Sequence, residues 1–252
     1  MALAVSQDAS RDELTRVEVS AQPTAHAWHP GPDKPSISRA TVHVWRGALD
    51  RLASRAARLA AMLTADELRR ADHYRFTRDR ERFVAARALL RQLLGRYLAS
   101  DPRHVRLVER PGGRPEVAGT RSPGAVRFNV SHSEDVVLCA FTLDRDVGVD
   151  VERVRPAVAA DTVAETFFSP VEVAALRALA PSLQSVAFFA SWTRKEAYAK
   201  ATGRGFTDGL EDGWPDRWSV RTLEPAPGYT AALVVEGHDH ELRLYDGDAV
   251  MD

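Results

Sequence analysis

The run Val147-Gly148-Val149-Asp150-Val151-Glu152 constrains the folding of this chain more tightly than any other segment. Side chains of a strand alternate between two faces. In that conformation the valines point to one face, and Asp150 and Glu152 stand side by side on the other. The apolar face requires a core. The acidic face requires water or a positive partner, because neighbouring carboxylates repel when both are ionised. Taken alone, such a strand is more often a solvated acidic face than a binding site.

A second segment changes that balance. Trp192-Thr193-Arg194-Lys195-Glu196-Ala197-Tyr198-Ala199-Lys200 reads as a helix closed by Gly203, a natural C-cap. Positions three and four apart share a helix face. Trp192, Lys195, Glu196 and Ala199 therefore form one stripe, and Glu196 also lines up with Lys200. An exposed ion pair accounts for Glu196 and Lys200, but not for the tryptophan or for Gly203-Arg204-Gly205. Asp150, Glu152 and Glu196 together are an all-oxygen donor set of the kind that Mg²⁺ takes. The lysines are suited to holding phosphate.

The chain has 252 residues, enough for one large domain or two smaller halves. Its formal net charge of −1 gives no overall bias toward nucleic acid. Arginines nevertheless crowd one stretch, from Arg69 to Arg96, so a local basic surface is expected. The single cysteine, Cys139, excludes an intrachain disulfide and a cysteine-based zinc site, and its apolar surroundings read as core. There is no cationic start followed by an apolar stretch, and no run of 18 apolar residues, so the expected location is cytoplasmic.

Residues 1–38 are polar and proline-bearing and are expected to form a loose arm. Strands are expected at Ala40 to Trp45, Val126 to Ser133, Val136 to Phe141 and Val147 to Val151, with the segment Val105 to Val108 and a Pro-Gly-Gly-Arg-Pro turn before the second. Thr64-Ala65-Asp66-Glu67 and Ser169-Pro170-Val171-Glu172 have the form of capping boxes, in which a hydroxyl and a glutamate three positions later satisfy each other's backbone. They predict helix starts. Further helices are expected over Phe83 to Leu98, Phe167 to Leu179 and Val186 to Ala201. Tyr229 to Glu236 and His240 to Tyr245 read as two strands of a hairpin. His238-Asp239-His240 sits in that turn without a third ligand and is not read as a metal site. The two capping boxes lie 105 positions apart, and at the same offset Phe83 matches Phe188 and Leu93 matches Tyr198. The expectation is an α+β protein of two similar halves, 39–144 and 145–252, with a binding cleft between them.

These residues together resemble the Sfp-type 4′-phosphopantetheinyl transferases. Five motifs stand in the family's order: Gly113-Arg114-Pro115, Asn129-Val130-Ser131-His132-Ser133, Gly148 to Glu152, Trp192 to Lys200, and Gly203-Arg204-Gly205-Phe206. The resemblance covers about residues 40 to 235. It implies two similar α/β halves related by a pseudo-twofold axis. It also implies a reaction, the transfer of the phosphopantetheine arm of coenzyme A to a serine of an apo carrier protein, with release of 3′,5′-ADP.

By that resemblance Asp150, Glu152 and Glu196 bind Mg²⁺. Glu196, or a metal-bound water, takes the proton of the carrier serine, and Lys200 contacts the α-phosphate and assists the departing oxygen. Lys195 faces the pyrophosphate or the acceptor. Arg70, Arg82, Arg114, Ser131 and His132 contact the coenzyme. Glu67 stands where some members carry a basic residue. A core histidine is the usual reading of a residue like His132, and the Ser-His-Ser match turns it toward phosphate. A Ser131–His132 nucleophile pair is not expected, because adjacent strand residues point apart.

The partners implied are coenzyme A and acyl or peptidyl carriers, with no nucleic acid and no membrane. Fatty-acid, polyketide and non-ribosomal peptide carriers all fit. One chain holding both halves implies a monomer. Two other functions use the same residues: a Mg²⁺-dependent hydrolase of coenzyme A or a related nucleotide, and a non-catalytic module that binds acidic carriers through its arginines.

Overall fold

The structure is a computed structural model that describes residues 27–109, 115–119, 122–155, 160–203 and 216–251. In chain order the strands are β1 (His29–Pro30), β2 (Thr41–Ala48), β3 (Leu107–Glu109), β4 (Pro115–Val117), β5 (Val126–Ser133), β6 (Val136–Leu143), β7 (Val147–Arg153), β8 (Trp218–Leu223), β9 (Tyr229–Glu236) and β10 (Glu241–Asp246). The helices are α1 (Leu49–Ala53), α2 (Ala56–Leu59), α3 (Ala65–Asp72), α4 (Thr77–Leu98), α5 (Ala160–Phe167), α6 (Pro170–Ala178) and α7 (Pro181–Thr202). Among the described residues no helix is long and apolar enough to cross a membrane.

The mixture of helices and largely antiparallel sheet is an α+β architecture. One sheet has the order β1-β10-β2-β6-β5, another β7-β9-β8, and β3 and β4 form a small separate ribbon. β2 and β5 both run antiparallel to β6. β7 and β8 both run antiparallel to β9. The two sheets stack face to face. Between them lies a core built from Val42, Val44, Leu138 and Ala140 on one side and Val147, Val149, Val151 and Leu233 on the other. The outer face of the larger sheet carries Trp45, Phe128, Cys139 and Phe141 against Leu89, Leu93 and Leu94 of α4. The outer face of the smaller sheet carries Ala232 and Val234 against Ala197, Tyr198 and Ala201 of α7. The central strands β6 and β9 are therefore covered on both faces, which is why they read as nearly unbroken apolar runs.

Both capping boxes form. Thr64 Oγ1 accepts from the Glu67 amide while Glu67 accepts from the Thr64 amide, and Ser169 and Glu172 do the same. Each opens a short helix that precedes a 22-residue one, α4 or α7. Gly203 closes α7 in the left-handed conformation, at φ 67°.

Several expectations change. β9 and β10 are not a hairpin: β10 leaves the smaller sheet and pairs in parallel with β2. The final strand thus joins the larger sheet, beside β2. The described part of the arm is not loose. β1 pairs with β10, Gly31 lies against the Trp45 ring, and Arg46 lies 5.0 Å over the Trp28 ring. Phe167 ends α5, a helix the sequence reading did not separate from α6, and β8 was not foreseen.

Arg91 is almost fully buried in α4. Its guanidinium forms a fork with Glu67, at 2.6 and 3.0 Å, and donates to the carbonyls of Pro102 and Val105. Glu67 thereby ties the start of α3 to α4, which gives an acid a structural reason at this position. Removing one partner of a buried pair leaves the other charge uncompensated. Arg91→Ala is expected to lower unfolding stability by about 3–5 kcal/mol, read from urea denaturation monitored by circular dichroism.

Candidate active site

The site forms where β5 of the larger sheet passes alongside β7 of the smaller one. Residues of β5 with odd numbers point toward β7, and they meet it in a constant register. Arg127 reaches Asp146 at 2.6 Å, and Asn129 Oδ1 accepts from the Val149 amide at 2.9 Å. Ser131 Oγ donates to Asp150 Oδ1, and Ser133 Oγ to Glu152 Oε2, each at 2.8 Å. Phe128 and Val130, pointing the other way, pack toward α4. His132 shares their face at its solvent-reached end.

α7 completes the site from the far side of β7. Gly148 lets it approach. A Cβ at Gly148 would collide with the Ala197 carbonyl and the Ala201 amide. Ala197 and Ala201 are buried against the sheet, so Glu196 and Lys200, on the adjoining flank of the helix, lie beside the acids. Lys200 Nζ sits 2.6 Å from Asp150 Oδ1 and 2.9 Å from Ser131 Oγ. Ser131 accepts from Lys200 and donates to Asp150, closing a three-membered network.

The electrostatics are those of crowded acids. Burial raises the Glu196 carboxyl above the ordinary glutamate range, the Asp150 charge raises it further, and Lys200 opposes both. Burial also raises Glu152, with a smaller contribution from Asp150, against the Ser133 hydrogen bond. Asp150 Oδ2 is buried with no hydrogen-bond partner. A buried carboxylate oxygen left bare is costly unless a cation or donor meets it. Among the described residues no three His, Cys, Asp or Glu side chains stand close enough to hold a metal as they are arranged, and Lys200 supplies the positive charge at Asp150. The chemistry of the donor set still fits a hard cation: three carboxylates, one bare oxygen, and two acids whose ionisation is penalised.

A positive rim faces this acidic centre. His132 is held below its usual imidazole range by burial and by the charges of Lys200 and Arg82. Arg82 is paired with Asp135 in the β5–β6 turn. Arg70 is farther out along α3, paired with Glu109 at 2.6 Å and lying over the Phe83 ring. Arg114 lies outside the described residues. Lys195 departs from its expected place. It is buried, 3.0 Å from Glu172 and 5.3 Å from the Phe168 ring, so its charge ties α7 to α6. Trp192 stacks among Phe167 and Phe188, which explains it as core. His238 Nε2 meets the Asp216 carbonyl, and His240 Nε2 lies 3.3 Å from Ser219 Oγ.

The sequence reading did not single out Ser133, Asn129 or Gly148 for a role. The alternation of polar residues along 127, 129, 131 and 133 was the available signal for the first two.

Comparison with known proteins agrees with this architecture. Residues 146–241 match the model of the 4′-phosphopantetheinyl transferase superfamily, and residues 50–143 match that of the 4′-phosphopantetheinyl transferase N-terminal region. The chain is 36% identical over 224 residues to the 4′-phosphopantetheinyl transferase HetI of Nostoc sp. strain PCC 7120, covering 84% of this chain and 94% of that one. It is 27% identical over 192 residues to the 4′-phosphopantetheinyl transferase Sfp of Bacillus subtilis strain 168, covering 70% and 83%. The chain belongs to the 4′-phosphopantetheinyl transferase family, and it is an enzyme of that class.

Raised carboxyl pKa values carry a stability consequence. Groups that bind protons more tightly when folded contribute stability that is full below their unfolded pKa and is lost as pH rises through the folded value. At neutral pH, with no divalent cation, Glu152 and Glu196 therefore work against the fold. Glu196→Gln and Glu152→Gln are each expected to raise the melting temperature in chelator-treated protein near about pH 8, and the gain should shrink as pH falls through the ordinary glutamate range. Differential scanning fluorimetry across pH reads this directly. A variant that melts below the parent at high pH would contradict the electrostatic account.

Proposed function

We propose that this enzyme transfers the 4′-phosphopantetheine arm of coenzyme A to the serine of an apo acyl or peptidyl carrier protein, with 3′,5′-ADP as the other product and Mg²⁺ as the required cation. The observation that carries this reading is the Asp150–Ser131–Lys200 network beside Glu152 and Glu196, with His132 and Arg82 on its rim.

Asp150, Glu152 and Glu196 would hold the cation. When bound, it would neutralise pyrophosphate charge and charge developing on the leaving group. The bond that forms joins the carrier serine oxygen to the β-phosphorus. The bond that breaks links that phosphorus to the bridging oxygen, which departs on 3′,5′-ADP. Glu196, or a water on the cation, would take the serine proton. With no cation bound, burial and the Asp150 charge raise the Glu196 carboxyl above the ordinary range, and coordination to the cation would oppose that. Lys200, paired with Asp150, would contact the α-phosphate, and transferring its ammonium from Asp150 to phosphate oxygens would place positive charge where the departing oxygen gains negative charge. Arg82 and Arg70 would supply positive charge for the remaining phosphates and His132 a neutral hydrogen-bonding group, with Arg114 assigned there by its motif. Guanidinium groups suit phosphate through forked hydrogen bonds.

We also propose a pseudo-twofold relation between the halves. It is supported by the matching orders β2-β6-β5 and β7-β9-β8, each with its capping-box helix and 22-residue helix. On that view the site lies on the seam, and one chain suffices as a cytoplasmic monomer.

The test is incubation with coenzyme A, Mg²⁺ and a panel of apo carrier domains, followed by intact-mass measurement. Each modified carrier should gain one phosphopantetheine. Release of phosphopantetheine without any acceptor would instead mark a hydrolase. Carrier binding with no modification, unaffected by Glu196→Gln, would mark a binding module. Asp150→Ala is expected to lower turnover by roughly 10³-fold or more, the equivalent of several kcal/mol of lost charge stabilisation, with circular dichroism unchanged. Full activity in that variant would refute the metal assignment.

A further inference from the structure

The stripe of β5 that meets β7 does more than join the halves. Four successive inward-facing positions engage this stretch: Arg127 reaches Asp146 just before β7, and Asn129, Ser131 and Ser133 reach β7 itself. The last two meet the acidic pair itself, one hydroxyl to each carboxylate. Ser131 already belongs to the network with Lys200. Ser133 does not: its hydroxyl accepts from the Arg153 amide at 3.1 Å and donates to Glu152 Oε2 at 2.8 Å. Because the backbone amide uses a lone pair of Ser133 Oγ, its proton is aimed at Glu152. One carboxylate oxygen is thereby committed, and the rotation of the whole group is set. The other oxygen, Oε1, is left to a different partner. No charged side chain does this for Glu152 at comparable range among the described residues.

We propose that Ser133 is a positioning residue that orients Glu152 for a divalent cation shared with Asp150, so that the first half of the chain presets a ligand belonging to the second. This rests on the cation reading given above. It adds that metal affinity depends on a hydroxyl that touches neither the cation nor the substrates. Outer partners of ligating carboxylates typically change metal affinity by 10–100-fold when removed.

The experiment is a Mn²⁺ titration of the full chain without coenzyme A, followed by electron paramagnetic resonance of the free ion, paired with the Mg²⁺ dependence of transfer. Ser133→Ala is expected to weaken Mn²⁺ binding by on the order of 10-fold. Its transfer rate should fall at limiting Mg²⁺ and recover at saturating Mg²⁺. Ser133→Thr, which keeps the hydroxyl, should restore affinity to within a few-fold of the parent. If Ser133→Ala does not fold, Ser133→Cys, with a weaker donor of similar size, carries the same comparison. Parent-like Mn²⁺ affinity in Ser133→Ala, with binding lost in Asp150→Ala, overturns the positioning role alone. Parent-like affinity in both variants overturns the cation reading as well. A Ser133→Thr variant as weak as Ser133→Ala also overturns the proposal, because the hydroxyl would then not be the operative group.

Discussion

The close approach of α7 to β7 across Gly148 is the contact on which the site depends. Helices packed on sheets are normally held off by side chains on both surfaces. Here one surface offers no side chain at Gly148, and the other offers only the small residues Ala197 and Ala201. The backbone of the helix therefore rests almost on the strand. This brings Lys200 to 2.6 Å from a strand carboxylate and holds Glu196 within the field of Asp150. Any side chain at Gly148 has to push against backbone rather than a mobile side chain, and backbone does not give locally. The glycine in the strand motif and the alanines in the helix motif belong to one geometric requirement.

That approach has an electrostatic cost, and the surrounding chain is arranged around it. Glu152 and Glu196 each lie within the field of Asp150 where burial penalises charge, and Asp150 Oδ2 has no donor. The described protein offsets this with one lysine and two serines. One ammonium among three acids leaves surplus negative charge, which is the condition under which a divalent cation gains most from binding. Arg82 and Lys200 supply positive charge at the rim of the site, beside a His132 whose protonation they oppose. An acidic floor and a cationic rim suit a ligand that arrives as an anion together with a cation.

Much of this could be seen in the sequence because it is local. The capping boxes at Thr64 and Ser169, the C-cap at Gly203, and the alternation of Val147 to Glu152 are each decided by residues within a few positions of one another, and all formed. What was not legible depends on distant partners. Glu241 to Asp246 alternates like any edge strand, and nothing within it says that it pairs in parallel with Thr41 to Arg46 rather than folding back on β9. Lys195 shows the same limit. Helical spacing put it on a stripe with Glu196, but the position of Glu172, on another helix, decided where its ammonium went. Glu67 looked anomalous beside its arginines until Arg91 was seen to be buried against it.

The register of β5 on β7 makes the site a property of both sheets. Asp150, Glu152 and Glu196 all come from β7 and α7, so the smaller sheet with its helix carries the acids. What it lacks is the means to orient them. Asn129 fixes the backbone of β7 through the Val149 amide, Ser131 fixes Asp150 and Ser133 fixes Glu152. A slip of one residue between the strands would turn Phe128, Val130 and His132 toward the acids in place of the hydroxyls. The apolar core between the two sheets opposes that slip, because the valines of β7 would leave their partners at the same time. Packing of hydrophobic side chains on one face of β7 thus sets the hydrogen bonds on its other face. The precision of the chemistry is inherited from the core.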